Sequence, residues 1–246
     1  MNKTNYSYIG ISFIILVFGI IFIPRIIDRI SEKDITREES RSVEIVNQIP
    51  EKSDLAFLNI NGEPKKVPPY SFTNQNGKTI SNKDYEGKVY VVEFFFTTCP
   101  TICPKMSANL VQVQNHFDGI KNFGVASFTI NPKHDTAKVL KDYADHYGIT
   151  NPNWHLLTGE QGAIYELANT GFNLYTAEDG EAEGGFEHSG NFALIDKNGF
   201  IRSRIQNGNP LIFYNGMISE IEKIDEDGQE QQITMLKEDI NKLLNE

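Results

Sequence analysis

The chain has 246 residues, of which 39% are hydrophobic and 23% are charged, a composition typical of globular proteins and unlike that of disordered ones. The net charge of −10 and the lack of any basic stripe in the sequence argue against binding to nucleic acid. The same charge suits a basic partner or a cation. Two cysteines are too few for a disulfide-rich scaffold or a four-cysteine zinc site.

The N-terminal segment has the pattern of a membrane anchor. Residues 4–24 carry no charge, and about 21 residues of helix span a hydrocarbon core roughly 30 Å thick. We therefore expect a transmembrane helix at residues 1–24. A cleaved signal peptide is the alternative, but the apolar run is long and no A-x-A cleavage site follows Ile23. Lys3 on one side and Arg25 on the other leave the orientation open.

A tether is predicted between this anchor and the folded domain. Residues 29–46 are dense in charges of both signs, which is typical of a solvated helix or a flexible stalk. Pro64 and Pro68 then interrupt any helix. We therefore assign residues 25–66 to the tether and residues 67–246 to one domain.

The elements of this domain alternate between strands and helices. Val89–Phe96 is almost continuously apolar, as expected of a strand covered on both faces. The pattern predicts an α/β domain with a central mixed sheet. The other predicted elements are a hairpin around Asn76-Gly77, a helix from Pro104, a strand at 123–130, a helix from Asp135 or Thr136 to Gly148, a strand at 155–157, a short helix at 163–168, a hairpin at 192–205 and a C-terminal helix at 233–244.

Both cysteines lie where the apolar strand runs into a helix. Cys99 and Cys103 are spaced C-x-x-x-C, at the sheet edge where ligands bind in open α/β folds. A helix N-terminus stabilises thiolates through its dipole and its free N–H groups. The spacing allows either a disulfide or a shared metal ion. Two inert buried cysteines are the alternative interpretation.

The sequence around these cysteines resembles the Sco/SenC family of thioredoxin-fold copper proteins. The similar segments cover roughly residues 67–215 and occur in the family's order: Phe72–Lys78, Tyr85–Lys88, Phe95–Pro104, Asn131–Thr136 and Glu187–Ser189. The resemblance implies a thioredoxin-like mixed sheet flanked by helices, and one copper ion bound by Cys99, Cys103 and His188. Thiolates are soft donors that hold Cu(I), and an added imidazole also tolerates Cu(II).

Three further side chains are candidates for auxiliary roles. The family usually has an acidic residue at the position of Asn131. This chain lacks that acid but retains Asp135 in the same segment. His134 is expected at the same sheet edge. Glu93 lies six residues before Cys99, an offset at which thioredoxins carry a buried acid that accepts a proton from the second thiol. A carboxylate satisfied by a neighbouring polar group is the alternative for Glu93.

The resemblance implies a copper chaperone rather than an enzyme. It implies delivery of copper to the binuclear copper site of cytochrome c oxidase subunit II, with a copper donor protein upstream. It also places the anchor in the bacterial inner membrane and the domain in the periplasm or outside the cell. Copper loading needs both thiols reduced, so a thioredoxin-like reductant is a further implied partner.

Two other functions use the same residues. A thiol–disulfide oxidoreductase, acting on the oxidase site or on another exported protein, is favoured by Glu93 and by the fold. Thioredoxin-type reductases carry a proline facing the thiols, however, and Glu187–Asn191 contains none. A membrane-tethered redox or copper sensor is the third possibility. The acidic segment from Glu178 to Glu183 predicts a solvated face, or a surface for a basic partner or for copper ions.

Overall fold

The described part of the chain begins at the folded domain. The computed structural model describes residues 55–60, 62–182, 184–206, 208–211 and 213–246. The predicted anchor at residues 1–24 lies outside these ranges, as does most of the predicted tether. Within the described ranges, no helix has both the length and the apolar character needed to cross a bilayer.

A mixed sheet of ten strands forms the centre of the described structure. Its strand order is β1-β12-β11-β6-β7-β8-β4-β5, with β13 beside β12 and β14 beside β11. Two separate pairs, β2 with β3 and β9 with β10, complete the strands of the described residues. The strands are β1 (Leu55–Phe57), β2 (Asn59–Ile60), β3 (Glu63–Pro64), β4 (Ser71–Asn74), β5 (Thr79–Ser81), β6 (Val89–Phe95), β7 (Phe123–Thr129), β8 (Trp154–Thr158), β9 (Thr176–Glu178), β10 (Phe186–His188), β11 (Asn191–Ile195), β12 (Ile201–Gln206), β13 (Asn209–Pro210) and β14 (Tyr214–Asn215).

Strand β6 lies in the middle of this sheet, as its apolar sequence predicts. Every residue of β6 and of its parallel neighbour β7 is buried. On its other side β6 pairs antiparallel with β11, where Val92 lies opposite Ala193. Because the two strands run in opposite directions, the start of β11 lies at the end of β6. This topology brings the segment before β11 to the same sheet edge as the cysteines.

Four α-helices flank the sheet, and their ends follow local sequence rules. They are α1 (Ile102–His116), α2 (Ala137–Tyr147), α3 (Gln161–Glu166) and α4 (Ile233–Asn245), with a 3₁₀ turn at Asn82–Tyr85 and a π-helical turn at Leu167–Phe172. The Thr136 side chain accepts a hydrogen bond from the Val139 N–H, and Gly148 ends α2 in the left-handed conformation with φ = 72°. These are the expected N-cap and C-cap arrangements. Helix α4 packs against α1 and β6.

The domain includes residues that the sequence analysis assigns to the tether. Strand β1 pairs antiparallel with β12, with Leu55 opposite Arg204, and Leu55 is fully buried in the core. The Leu58 N–H donates to the Ile201 carbonyl at 2.9 Å. The predicted domain start at residue 67 is therefore corrected to Leu55, the first residue that the structure describes. The physical reason is long-range: β1 covers the exposed edge of β12, and a three-residue strand has too little local pattern to reveal this.

Candidate metal centre

The two cysteines occupy the connection between β6 and α1, called here the thiol loop (residues 96–103). Cys103 lies in the first turn of α1, while Cys99 lies on the loop before it. The Cys99 N–H donates to the Phe96 carbonyl at 3.2 Å, which turns the chain back toward the helix. Both side chains are buried, and Cys99 is the more accessible, with relative exposures of 8% for Cys99 and 1% for Cys103.

His188 reaches the thiols from a different part of the chain. It ends β10, and its Nε2 atom lies 3.2 Å from Cys103 Sγ. Its Nδ1 atom lies 3.2 Å from the Ser189 carbonyl oxygen. Since a carbonyl only accepts hydrogen bonds, the neutral ring carries its proton on Nδ1 and presents the Nε2 lone pair to the sulfurs. A backbone acceptor behind the ring is also the usual support of a metal-ligating histidine.

Together these three residues form a cluster of potential metal ligands. The Sγ atoms of Cys99 and Cys103 and a ring nitrogen of His188 all lie within 4.8 Å of one another. Two sulfurs and one imidazole make a donor set that suits soft monovalent copper. The three residues that the resemblance singles out are therefore brought together by the fold.

The two thiols are electrostatically unequal. Hydrogen bonding from Cys103 lowers the pKa of Cys99. Burial raises the pKa of Cys103, and the neighbouring Cys99 raises it further. When the pair has lost one proton, these directions favour the thiolate on Cys99 and the remaining proton on Cys103. A metal ion that binds both sulfurs must displace the remaining proton from Cys103.

Asp135 lies beside the thiol loop rather than among the ligand atoms. Its buried carboxylate accepts from the Thr97 N–H at 3.0 Å and from the Thr97 hydroxyl at 2.5 Å. It also accepts from the Thr129 hydroxyl at the end of β7, at 2.5 Å. The half-exposed His134 ring places Nδ1 2.8 Å from the same carboxylate. These two predicted auxiliary residues thus tie the start of the thiol loop to β7.

Glu93 is buried within the sheet, on the strand that leads to the thiol loop. Its Oε1 accepts from the Ser127 hydroxyl at 2.7 Å, and Trp154 Nε1 donates to that hydroxyl at 2.9 Å. Oε2 has no hydrogen-bond partner among the described residues. Burial raises the pKa of Glu93 to about 7, and its charge in turn contributes to the raised pKa of Cys103. The alternative interpretation of Glu93 is a carboxylate that a neighbouring polar group satisfies. Ser127 is such a group, but it donates to only one of the two Glu93 carboxylate oxygens.

Sequence reasoning missed two residues that shape the site, Phe96 and Thr97. Phe96 reads as the last apolar residue of a strand, yet its ring contacts His188. Thr97 reads as a loop residue, yet both its N–H and its hydroxyl are held by Asp135. The one available signal is position, because both residues lie between a buried strand and the first cysteine.

A pair of thiols and an imidazole at the edge of a mixed α/β sheet defines the class: a domain built to bind a soft metal ion or to exchange thiols. The family model described as SCO1/SenC matches residues 59–223, and the chain belongs to this family. Its mixed sheet flanked by helices is consistent with the thioredoxin-like fold of Sco proteins.

Individual relatives agree with this assignment. The chain is 32% identical over 158 residues to a SCO1 protein homolog of Bacillus subtilis, covering 63% of this chain and 81% of that protein. A putative copper-binding protein of Stutzerimonas stutzeri is 26% identical over 145 residues, covering 58% and 70% of the two chains. The solved structure of BsSco, described as a member of the Sco family of cytochrome c oxidase assembly proteins with a disulfide switch, matches with a TM-score of 0.58 and 27% identity over 73% of this chain and 94% of that one.

Proposed function

We propose that this chain binds one copper ion through the Cys99 and Cys103 sulfurs and His188 Nε2, and passes it to another protein. The observation that carries the proposal is the convergence of these three ligand atoms within 4.8 Å. The name of the Stutzerimonas relative gives independent support for copper as the metal. The acidic net charge of −10 is also compatible with a cationic cargo.

The recipient in this proposal is the binuclear copper site of cytochrome c oxidase subunit II. The description of BsSco as an oxidase assembly protein supports this assignment. Residues 1–24 would anchor the chain in the bacterial inner membrane, with the domain in the periplasm or outside the cell. A copper donor protein and a thioredoxin-like reductant complete the set of proposed partners.

The chain's own residues divide the work of capture. Cys99 offers a thiolate before any metal arrives, because hydrogen bonding lowers its pKa. Cys103 supplies the second sulfur only after its thiol has lost a proton. Burial raises the pKa of that thiol. His188 supplies Nε2 while Ser189 holds the opposite side of the ring. Oxidation of the two sulfurs to a disulfide would remove both thiolates and block loading.

A copper titration tests this proposal. The full chain, purified in detergent with its thiols reduced, is titrated with Cu(I) against a competing chelator, and we expect one equivalent to bind. His188→Ala should weaken binding by about 100-fold or more, because it removes a ligand itself and loss of a group that merely orients a ligand already costs about 10- to 100-fold. It should leave the dithiol reduction potential nearly unchanged. His116→Ala, at the far end of α1, is the matched control. A wild-type chain that binds no Cu(I), or a His188→Ala chain that binds like wild type, contradicts the proposal.

A thiol–disulfide oxidoreductase is the second candidate, favoured by the unequal thiols and by the buried Glu93. Such enzymes need one thiolate nucleophile and a second thiol that is later deprotonated, and the pKa shifts of Cys99 and Cys103 have these directions. Reduction of a peptide disulfide measures this activity. If His188→Ala retains full copper affinity but loses disulfide reduction, this second function replaces the first.

A further inference from the structure

The hairpin that carries His188 is separate from the main sheet. Strands β9 and β10 pair with each other, with His188 opposite Thr176 and Phe186 opposite Glu178. Within the described residues, neither strand forms a ladder with the ten-stranded sheet. The place of the imidazole relative to the thiols must therefore be set by side-chain packing and by the ends of the hairpin.

One buried ring at the start of the thiol loop lies against this hairpin. Phe96 is 1% exposed and directly follows β6. Its ring centroid lies 5.2 Å from that of Phe186 and 5.8 Å from the His188 ring, which it meets at an interplanar angle of 81°. Edge-to-face contacts of this kind have a preferred geometry and not merely a contact area. Phe96 thus touches the imidazole ligand while belonging to the chain segment that holds the sulfurs.

The turn of the hairpin approaches the same ring as closely as a glycine allows. A Cβ atom on Gly184 would lie 2.8 Å and 3.0 Å from the Phe96 ring atoms Cε2 and Cζ, and 3.3 Å from Pro100 Cδ. The next residue, Gly185, has nearly the same φ, 82° against 84°, but a Cβ there meets nothing within 4 Å. Close approach to the thiol loop is therefore a property of Gly184 alone in this pair.

We propose that Phe96 and Gly184 form a seat for the β9–β10 hairpin, and that this seat fixes the distance between His188 Nε2 and the two sulfurs. The inference rests on the proposed function, since the distance matters for a ligand set shared by one ion. Both are positioning residues: they act on copper affinity through His188.

The matched pair Gly184→Ala and Gly185→Ala tests the seat. Both substitutions place alanine at positive φ and carry similar backbone strain, but only the first pushes the hairpin off Phe96. With the reduced full chain and Cu(I) competition, Gly184→Ala should lower affinity by about tenfold or more, the range found for groups that orient metal ligands. Gly185→Ala should lower it by less than about threefold.

A double-mutant cycle separates positioning from general damage. In the His188→Ala background, Gly184→Ala should change Cu(I) affinity by less than about twofold, because its route of action has been removed. Phe96→Leu, which keeps an apolar side chain but removes the ring, should show the same dependence on His188. This second variant keeps the test decisive if Gly184→Ala fails to fold.

A metal-free measurement makes the seat testable without copper. In the reduced chain, the ring current of Phe96 should shift the carbon-bound proton resonances of His188, and this shift should persist in Gly185→Ala and be lost in Gly184→Ala. Equal behaviour of the two alanine variants, or an undiminished Gly184→Ala effect in the His188→Ala background, overturns the seat and leaves the proposed function standing. Failure of the wild-type chain to bind Cu(I), with the resonance shifts as expected, overturns the proposed function and leaves the seat.

Discussion

The two halves of the candidate metal centre are built very differently. The thiol half belongs to the core: β6 is buried along its whole length, and Thr97 in the thiol loop is held by two hydrogen bonds to Asp135. The imidazole half lies on a hairpin outside the main sheet. This difference allows the two kinds of ligand to behave differently. The sulfurs can stay fixed, while the His188 imidazole can move away without breaking any strand pairing of the central sheet. A site that must both take up and release its ion benefits from such a division.

Removing a sulfur should have the largest effect on this site. Cys103→Ser should abolish stoichiometric Cu(I) binding, because an alcohol is a hard, protonated donor where a soft thiolate is needed. His188→Ala, by comparison, should leave weak binding by the remaining dithiol. Isothermal titration of the reduced chains compares the two directly. If Cys103→Ser binds more tightly than His188→Ala, the rigid half is not the main source of affinity.

Loss of the Asp135 carboxylate should destabilise the thiol half. Asp135→Ala leaves the Thr97 N–H and two threonine hydroxyls without their acceptor, and a buried donor left without its partner costs about 1–3 kcal/mol. Urea unfolding of wild type and variant measures this loss. Asp142→Ala, an exposed carboxylate on α2, is the control and should change the free energy of unfolding by less than about 0.5 kcal/mol. A similar small change for Asp135→Ala would show that the network contributes little.

Ionisation of the Glu93 carboxyl should lower the free energy of unfolding of the domain as pH rises. Its pKa is raised to about 7 in the folded state, against roughly 4.3 when unfolded. Between these values the folded state retains a proton that the unfolded state has released, so stability falls as pH rises and levels off above about 7. Glu93→Gln should therefore raise the free energy of unfolding by on the order of 3 kcal/mol at about pH 8 and by little near pH 5.

Unfolding curves at the two pH values check this expectation. Glu187→Gln is the matched control, because Glu187 is a solvent-exposed side chain on β10. An equal gain for Glu93→Gln at both pH values would contradict the linkage, and would attribute the change to packing alone.

The smallest expected effect concerns the base of the hairpin. The Asn169 side chain donates to the Thr176 carbonyl and accepts from the Thr176 N–H, each at 3.0 Å, and Thr176 lies opposite His188. Asn169→Ala should weaken Cu(I) binding by about two- to fivefold, since each such hydrogen bond contributes about 1 kcal/mol and only part of it reaches the ligand. Thr170→Ala, one residue along, should have no effect. A loss as large as that of His188→Ala would mean that the base, and not the seat, positions the imidazole.

Local pattern predicted the thiol half well. The continuous apolar run at 89–96 gave a central strand, and the observed strand ends at Phe95. Thr136 and Gly148 gave the ends of α2. The resemblance singled out His188, and the fold brings its ring to Cys103. These features could be predicted because strands, helix caps and motifs depend on residues that are neighbours in the sequence.

The features that escaped prediction depend on residues far apart in the chain. Strand β1 forms by pairing with the edge of β12, and the sequence pattern of Leu55–Phe57 does not predict this pairing. The β9–β10 hairpin lies in a segment rich in glutamate and glycine, whose composition is typical of a solvated face. Asp135 reads as a helper for the metal, whereas its oxygens are occupied by hydroxyl and amide donors from β7 and the thiol loop.

The separation of the ligands along the chain also sets an order in time. Cys103 and His188 are 85 residues apart, so a ribosome adding roughly 5–20 residues per second makes the cysteines about 4 to 17 seconds before the histidine. Strand β11, which brings the hairpin to the sheet edge, is made later still. Binding of an ion by all three proposed ligands is consequently excluded until His188 has been made, and a nascent chain that ends before His188 holds the two sulfurs without the imidazole.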